Sequence, residues 1–182
     1  EYGSSAVHRG HSQTISCPTC GPRVWAEDRN GRVSDSGLEV YELASRALLS
    51  GEIVAMRGIG GYQLLVDATN DRAVEELRRR KRRATKPFAV LCHTLGDAES
   101  LGVLDFAARQ ALTSPSNPIV LVPRKPGVRL AAGIHPHLSE IGLLLPTTAL
   151  HARLAELVGR PLVCTSGNLE GAPLAVEVDD AR

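Results

Sequence analysis

A dense run of positive charge is the first feature of this sequence that could do chemistry. Residues 78–87 read Arg-Arg-Arg-Lys-Arg-Arg-Ala-Thr-Lys-Pro, with seven cationic side chains in ten positions. The planar fork of arginine and the point charge of lysine both suit phosphate oxygens. Such a cluster can stabilise the negative charge that develops on pyrophosphate as it leaves a triphosphate. The run predicts a phosphate-binding surface formed by Lys81, Arg83 and Lys86.

A plainer interpretation of the same run is the solvated end of a helix, where cations favour the negative end of the helix dipole. That interpretation suits Arg78, Arg79 and Arg82. It suits the three phosphate-binding candidates less well, because the residue before Pro87 avoids helical geometry and the helix is expected to break there. The last cations would then lie on an irregular segment at the entrance of a buried strand, where charge usually faces a cleft.

A small polar turn follows an apolar run late in the sequence, at Cys164-Thr-Ser-Gly-Asn168. In isolation, such residues are typical of an ordinary turn. Ligands of α/β sheets, however, sit outside the carboxyl ends of the strands. Hydroxyl and amide groups at that place can bind phosphate or ribose oxygens without adding charge. Thr165, Ser166 and Asn168 are therefore expected to bind a nucleotide together with the cations.

A glycine-rich stretch, Gly58-Ile-Gly-Gly61, resembles a phosphate-binding loop only superficially. It lacks the GxxxxGK[ST] pattern and precedes a strand-like run, so it is neither a P-loop nor a dinucleotide-binding fingerprint. Glycines at a strand end instead allow the backbone to approach a small ligand closely. The expected substrate pocket consists of Arg57, Gly60, Gly61 and Tyr62.

The other titratable groups form no Ser-His-Asp or Cys-His constellation. His151 and the pair Asp67 and Asp71 are expected to be capping and surface groups. Cys92 and Cys164 lie inside apolar runs and are expected to be small buried hydrophobic residues.

Cys17-Pro-Thr-Cys20 has the spacing of half a zinc site. Tetrahedral zinc needs four ligands, and the sequence has no second CxxC. Cys17 and Cys20 are therefore expected to be zinc ligands whose partners precede Glu1, which leaves the site incomplete in this fragment. His8 and His11 are a weaker alternative, because their spacing matches no common pattern.

The elements that must position these groups are short apolar strands alternating with amphipathic helices. Strands are predicted at 53–56, 62–66, 88–92, 119–122, 141–145 and 162–165. Helices are predicted at 39–50, 71–82, 97–112 (as one or two) and 148–158, with Ser36 and Asn70 as caps. This alternation predicts an α/β fold around a mixed sheet. A short hairpin is expected about Asn30-Gly31.

Composition narrows the function classes. At 182 residues and 43% hydrophobic, the chain is long enough for one well-buried domain. The net charge is +1, so any basic surface is local, and the 3% of aromatic residues disfavours a stacking platform for single-stranded nucleic acid. No apolar run is long enough to span a membrane. A cytoplasmic piece of a longer polypeptide, with no membrane partner, is expected.

Several motifs, in order along the chain, resemble the YrdC-like domain of HypF, the carbamoyltransferase family of [NiFe]-hydrogenase maturation. They lie at 17–23, 51–61, 78–90, 118–121, 145–151 and 165–168. The resemblance implies an α/β fold with a YrdC-like twisted mixed β-sheet, flanking helices and a concave nucleotide-binding cleft. It assigns residues 38–182 to the YrdC-like domain and residues 1–37 to a zinc-finger remnant and linker.

The same resemblance implies ATP-dependent chemistry on a carbamoyl group. HypF-like proteins hydrolyse carbamoyl phosphate to carbamate, and their YrdC-like domain condenses carbamate with ATP to carbamoyl adenylate and pyrophosphate. Another domain then passes the carbamoyl group to HypE. Lys81-x-Arg83 and Ser166-x-Asn168 match the KxR and SxN elements associated with ATP binding, and Lys81 and Arg83 are the expected catalytic residues. ATP, Mg²⁺ and structural Zn²⁺ in the intact protein are the implied cofactors.

The sequence departs from the family pattern at positions that bear on the acyl substrate. Arg57 stands where the family usually has lysine, and Gln63 where it usually has histidine. Thr147 and Ala149 replace a tyrosine and a proline. Two alternatives therefore stay open. One is threonylcarbamoyl-adenylate synthesis for tRNA modification, although the PT-x-T-x-YGL pattern of those relatives is absent. The other is a double-stranded-RNA-binding module that uses the basic run.

Overall fold

The computed structural model describes residues 23–181, of which those up to residue 40 belong to a first compact unit and those from residue 41 onward to a second. The described part of the first unit contains an antiparallel hairpin of β1 (Ala26–Asp28) and β2 (Gly31–Ser34). The Asp28 carboxylate accepts from the Asn30 amide at 2.7 Å, and Gly31 has a φ of 123°. The hairpin predicted about Asn30-Gly31 is confirmed.

The second unit is organised around one six-stranded sheet with the strand order β3-β4-β8-β5-β7-β6. Only β5 and β7 pair in parallel, and the other neighbours are antiparallel, which confirms the predicted mixed sheet. The strands are β3 (Val54–Arg57), β4 (Tyr62–Asp67), β5 (Ala89–Leu91), β6 (Val120–Pro123), β7 (Glu140–Leu144) and β8 (Leu162–Ser166).

Helices flank this sheet on both faces. They are α1 (Gly37–Leu49), α2 (Asp71–Lys81), α3 (Leu95–Leu101), α4 (Phe106–Leu112), α5 (Ala149–Val158) and α6 (Val178–Ala181), with a short 3₁₀ helix at Ala132–Ile134. The predicted helix region 97–112 resolves into two helices, because Thr94 and Asp105 each cap a separate start. No helix within residues 23–181 is long and apolar enough to cross a membrane.

Two buried apolar clusters fix which helices cover which face. One cluster joins alternate strand residues such as Val66 and Val163 to apolar side chains of α2, α3 and α4. The other joins the intervening strand residues, such as Leu65 and Leu162, to side chains of α1 and α5. Successive strand residues point to opposite faces of a sheet, so both faces of β4 and β8 are apolar and covered.

Two titratable residues expected at the surface are instead buried, so that expectation is wrong for them. Asp67, at the end of β4, is 1% exposed and accepts from the Thr69 hydroxyl and the Arg160 guanidinium, each at 2.7 Å. His151 is fully buried in α5, and its Nδ1 lies 2.9 Å from the Thr147 hydroxyl. His151 lies on the helix face that also buries Leu154, and Asp67 is satisfied by a residue 93 positions away, which the sequence around it does not reveal.

The pairing of the buried Asp67 carboxylate with the half-exposed Arg160 predicts a pH-dependent contribution to stability. Burial raises the pKa of Asp67, but hydrogen bonds from Thr69 and Arg160 outweigh burial and hold it below its ordinary value. The carboxylate therefore stabilises the fold above its unfolded pKa of about 4, and this stabilisation is lost as pH falls through the folded pKa. Asp67→Asn should lower the free energy of unfolding by about 2 kcal/mol at pH 7.

Urea unfolding at pH 7, 5 and 3 checks this expectation, and the difference from wild type should shrink at the lowest pH. Glu156→Gln is the matched control, because Glu156 pairs with Arg153 on an exposed helix face. Its effect should stay below about 0.5 kcal/mol. A loss from Asp67→Asn that is equally large at pH 3 and pH 7 would contradict the assignment.

Candidate functional site

Helix α2 carries the basic run along the sheet. Asn70 caps its start, since its side-chain oxygen accepts from the Ala73 amide at 3.1 Å. The helix ends at Lys81, and Arg82 adopts a left-handed conformation with a φ of 55°. The chain therefore leaves the helix before Pro87, as predicted, and continues as an irregular segment into β5.

Lys81 is buried at the end of α2 and reaches the Ser-x-Asn turn. It is 2% exposed. Its Nζ donates to the carbonyl oxygens of Ser166 at 2.6 Å and Asn168 at 2.7 Å, and to the Asn168 side-chain oxygen at 3.3 Å. These bonds occupy all three N–H donors of the ammonium group. The structure thus brings together the two motifs that the sequence holds far apart.

The charge of Lys81 has no ion-pair partner among residues 23–181. Burial lowers its pKa, and the neighbouring charge of Arg83 lowers it further, while Glu170 acts in the opposite direction. The three oxygens that accept from it are neutral. They satisfy its hydrogen bonds without cancelling its charge, so the positive potential persists around the turn.

The Ser-x-Asn turn is held tightly by its own contacts. The Ser166 hydroxyl donates to the Asn168 side-chain oxygen at 2.6 Å, and the Asn168 amide group donates to the Ala172 carbonyl at 2.7 Å. Gly167 packs so closely that an added Cβ would lie 2.9 Å from the Tyr62 carbonyl oxygen. Thr165 is buried and, as a strand neighbour of Ser166, points to the opposite face of the sheet.

The segment 83–87 forms a second part of the candidate site. Arg83 is half-buried, and its guanidinium donates to the carbonyls of Lys86 at 3.1 Å and Pro87 at 2.5 Å. Burial lowers the pKa of Arg83, opposed by Glu170. The Lys86 side chain is exposed and forms no hydrogen bond with the described part of the chain. Arg83 retains unused donors, because a guanidinium carries five.

The glycine-rich hairpin between β3 and β4 adjoins the Ser-x-Asn turn. The Gly167 amide donates to the Tyr62 carbonyl at 2.7 Å, and the Tyr62 amide donates to the Ala175 carbonyl at 2.8 Å. Gly61 has a φ of 146°, and an added Cβ would lie 2.6 Å from the Ala175 oxygen, so only glycine fits. Of the expected pocket residues, Gly61 and Tyr62 therefore lie beside the turn.

The other two expected pocket residues, Arg57 and Gly60, lie in the same hairpin and are exposed. Arg57 pairs with Tyr62 where the two strands meet the hairpin turn, at the end of β3 and the start of β4. Neither one makes a hydrogen bond with the cations of α2 or of the segment 83–87. Their assignment to a substrate pocket stays a prediction.

Arg78 is a residue of the site that the sequence interpretation misplaced. It was expected on the solvated face of the helix but is 6% exposed. Its guanidinium donates to the carbonyls of Gly133 at 2.5 Å, Arg83 at 2.8 Å, Lys86 at 3.2 Å and Ala84 at 3.3 Å. The solvated interpretation is therefore wrong for Arg78.

A sequence signal for this burial does exist. Positions 74, 77, 78 and 81 have the i, i+3, i+4, i+7 spacing of one helix face. Val74 and Leu77 are fully buried on that face, so Arg78 and Lys81 extend the same buried stripe. Arg79 and Arg80 lie off the stripe, and both form ion pairs with Glu76. Hydrogen bonds from Arg79 and Arg80 lower the pKa of Glu76 to about 2.

The predicted zinc ligands, Cys17 and Cys20, lie outside the described residues. Within residues 23–181, no group of three or more His, Cys, Asp or Glu side chains could hold a metal ion. Cys92 and Cys164 are buried, as predicted. Burial raises the pKa of each thiol to about 12, so neither is a thiolate available to a metal at neutral pH.

A mixed six-stranded sheet in which a cation-bearing helix end meets a Ser-x-Asn turn defines an α/β domain of the YrdC-like class. The chain belongs to the Sua5/YciO/YrdC family, because that family's model, described as "Telomere recombination", matches residues 46–182. A second model, described as "HypF finger", matches residues 1–27. The resemblance seen in the sequence motifs is confirmed.

Relatives of known name agree with this assignment. Carbamoyltransferase HypF of Rhodobacter capsulatus is 42% identical over 182 residues, which are 100% of this chain and 24% of that protein. The crystal structure of full-length HypF in its phosphate- and nucleotide-bound form matches with a TM-score of 0.84 and 34% identity, over 99% of this chain and 23% of that one. The chain thus spans about a quarter of the HypF relatives it matches.

A more distant likeness shows the fold alone. The structure of Sua5 from P. abyssi, complexed with L-threonine, matches with a TM-score of 0.69 and 20% identity. The match covers 79% of this chain and 43% of that one. The two proteins therefore share the YrdC-like sheet and helices.

The contacts of Lys81 predict that it stabilises the fold far more than the neighbouring Lys86. Lys81→Met removes the three hydrogen bonds that tie the end of α2 to the turn and leaves the Asn168 carbonyl without its lysine donor, so the free energy of unfolding should fall by about 3 kcal/mol. Lys86→Met is the matched control, and its effect should stay below about 0.5 kcal/mol. Chemical denaturation of both variants measures the contrast. Equal effects would mean that the Lys81 contacts do not hold the turn.

Proposed function

We propose that this domain binds ATP where α2 meets the Ser-x-Asn turn and condenses it with carbamate to form carbamoyl adenylate. The observation that carries the proposal is the position of Lys81, whose ammonium group forms no ion pair with the described residues and donates to two carbonyls of the turn. Arg83 and Lys86 add two cations with unused donors on the adjoining segment. An anion as highly charged as a triphosphate is the ligand that such a cluster favours.

The proposed reaction needs no covalent catalyst. A carbamate oxygen attacks the α-phosphorus, the bond from that phosphorus to the bridging oxygen breaks, and pyrophosphate leaves with the electron pair. Arg83 would donate to phosphate oxygens that gain charge in this step, and Lys86 would stabilise the departing group. Lys81 would attract the phosphates through its buried charge, while its hydrogen bonds hold the Ser-x-Asn turn in place. The Ser166 hydroxyl and Asn168 would contact the nucleotide as neutral groups.

Mg²⁺ would be carried by the phosphates. The described residues offer no acidic cluster that could hold the ion by itself. A magnesium ion bound by substrate phosphates and water is common in phosphoryl-transfer sites. It would supply further neutralisation of the phosphate charge.

The whole protein's role is proposed from its relatives. The related full-length HypF structure is phosphate- and nucleotide-bound, which supports a nucleotide site in a chain of this kind. Relatives named carbamoyltransferase support the carbamoyl group as the acyl substrate. We extend this to carbamoyl phosphate as the source of carbamate, and to HypE as the acceptor in hydrogenase maturation, through parts of the protein beyond this domain.

Structural zinc is proposed for the segment that matches the HypF finger. Cys17 and Cys20 have the spacing of two thiolate ligands of a tetrahedral site. The remaining cysteines of the sequence, Cys92 and Cys164, are buried in the core. Cys17 and Cys20 are therefore the two thiolates that this chain would provide, and His8 and His11 are a weaker alternative for the remaining ligands.

The contacts disfavour the basic run as a surface for duplex RNA. Such a surface needs exposed cations spread over successive grooves. Arg78 and Lys81 are instead buried, and Arg79 and Arg80 are paired with Glu76. Most cations of the basic run are therefore unavailable to a duplex.

Exchange of labelled pyrophosphate into ATP tests the proposed reaction directly. The chain is incubated with ATP and Mg²⁺ in ammonium bicarbonate, which contains carbamate at equilibrium, or in bicarbonate with threonine. We expect exchange that depends on the ammonium salt, because only that solution supplies carbamate. Exchange that responds only to threonine would overturn the proposal in favour of the threonylcarbamoyl alternative.

Two variants, each of which removes one arginine charge, test whether the exchange reaction takes place at the proposed site. Arg83→Gln should lower the exchange rate by about a hundredfold, because it removes a donor to the charge that develops on phosphate. Arg153→Gln removes an exposed arginine that pairs with Glu156 on α5, and it should leave the rate unchanged. Equal rates in the two variants would contradict the location of the site.

A further inference from the structure

We infer that Arg78 is a positioning residue that sets the shape of the segment 83–87 for phosphate binding. This inference rests on the proposed function, because that segment carries Arg83 and Lys86. Arg78 itself is almost fully buried and does not face solvent. It would act on a bound nucleotide only through the residues that it holds.

Three of the carbonyl groups that accept from Arg78 belong to this one segment. They are those of Arg83, Ala84 and Lys86, and they converge on the two terminal nitrogens of the guanidinium. A guanidinium is planar and presents its donors in a fixed fork. The direction of each carbonyl is therefore tied to one rigid group, and the path of the backbone between α2 and β5 is tied with it.

The fourth acceptor fixes Arg78 from its other side. Its Nε donates to the carbonyl of Gly133, in the short 3₁₀ helix. That helix is anchored in turn to the start of α2, because the Ala132 amide donates to the Asp71 carboxylate at 3.0 Å. The guanidinium is thus held between a fixed turn and the segment 83–87.

Phe88 completes the arrangement at the entrance of β5. The guanidinium carbons of Arg78 and Arg83 lie 4.7 Å and 5.0 Å from its ring centroid. Both cations are attracted by the ring. The aromatic ring therefore holds the phosphate-binding Arg83 next to the buried Arg78, although two like charges would otherwise repel each other.

The groups that accept hydrogen bonds from Arg78 indicate that it positions the segment 83–87 and does more than stabilise the fold. A buried arginine is usually matched by a carboxylate, but Arg78 forms no ion pair with any residue in 23–181. Burial lowers its pKa, and the charge of Arg83 lowers it further, while the charge of Glu75 acts in the opposite direction. A cation satisfied by neutral carbonyls organises the backbone while it leaves the local charge positive, which a phosphate-binding segment requires.

Arg78→Lys tests the inference, because lysine keeps the charge but cannot reproduce the planar fork. The dissociation constant for ATP, measured by calorimetry on this chain, should rise by about tenfold or more as the segment loses its fixed shape. Leu77→Ala is the matched control. It removes a fully buried apolar side chain on the same helix, one that donates no hydrogen bond to the segment, and it lowers the melting temperature.

The control should retain an ATP dissociation constant within about twofold of wild type even where it melts at a lower temperature than Arg78→Lys. Wild-type affinity in Arg78→Lys would overturn the inference, and so would an equal loss of affinity in Leu77→Ala. Either result would show that Arg78 contributes general stability only.

Hydrogen exchange keeps the test independent of the proposed function. The Arg83 amide donates to the Arg78 carbonyl at 3.1 Å, and the Phe88 amide donates to the Ile134 carbonyl at 2.8 Å, so both are protected probes at the ends of the segment. Exchange at these amides should accelerate in Arg78→Lys more than in Leu77→Ala. If wild type binds no ATP, the proposed function fails, while this readout still supports or refutes the positioning role.

Discussion

Two buried cations without carboxylate partners are the constraint on which the rest of this structure depends. Taking a cation out of water is costly unless its donors are satisfied. Lys81 and Arg78 satisfy theirs with oxygens that are all neutral and mostly backbone carbonyls. The backbone must therefore converge on them, while their charges remain available to attract an anion. On the exposed face of the same helix, Arg79 and Arg80 instead form ion pairs with Glu76.

The topology of the sheet makes this convergence possible. Helix α2 follows β4 and returns along the sheet, and eleven helical residues span about 16 Å, close to the length of a six-residue strand. Its end therefore lies near the start of β4. Because β8 is antiparallel to β4, the same place is also the end of β8, where Ser166 and its turn begin. The two motifs meet because the antiparallel pairing of β4 with β8 and the length of α2 bring both chain segments to the same end of the sheet.

Much of this fold could be predicted from sequence because it is local. Apolar runs gave the strands to within a few residues, Asn70 marked the start of α2, and Pro87 marked the break after it. That Lys81 and the Ser-x-Asn turn lie together was expected because both suit phosphate oxygens and because both motifs occur in a known family. Nothing local in the sequence shows that β8 lies between β4 and β5.

The residues that were misjudged are charged or polar groups on buried positions. Arg78 lies on the apolar stripe of α2, but an arginine on such a stripe is usually assigned to solvent. Its burial depends on carbonyls from distant segments, which the residue types do not reveal. Asp67 is similar, since its partner Arg160 is 93 positions away. Helical spacing could have placed Arg78 inside, whereas only the tertiary structure explains what satisfies it.

The most direct test of this account is to convert the neutral environment of Lys81 into an ion pair. Asn168→Asp places a carboxylate where the Asn168 oxygen lies 3.3 Å from Lys81 Nζ. Asn168→Ser is the matched control, because it also removes the amide donor to Ala172 but adds no charge. Calorimetric titration with ATP should show affinity at least about tenfold weaker in the aspartate variant than in the serine variant. Equal affinities would contradict the claim that a buried charge without an ion pair makes this site attract phosphate.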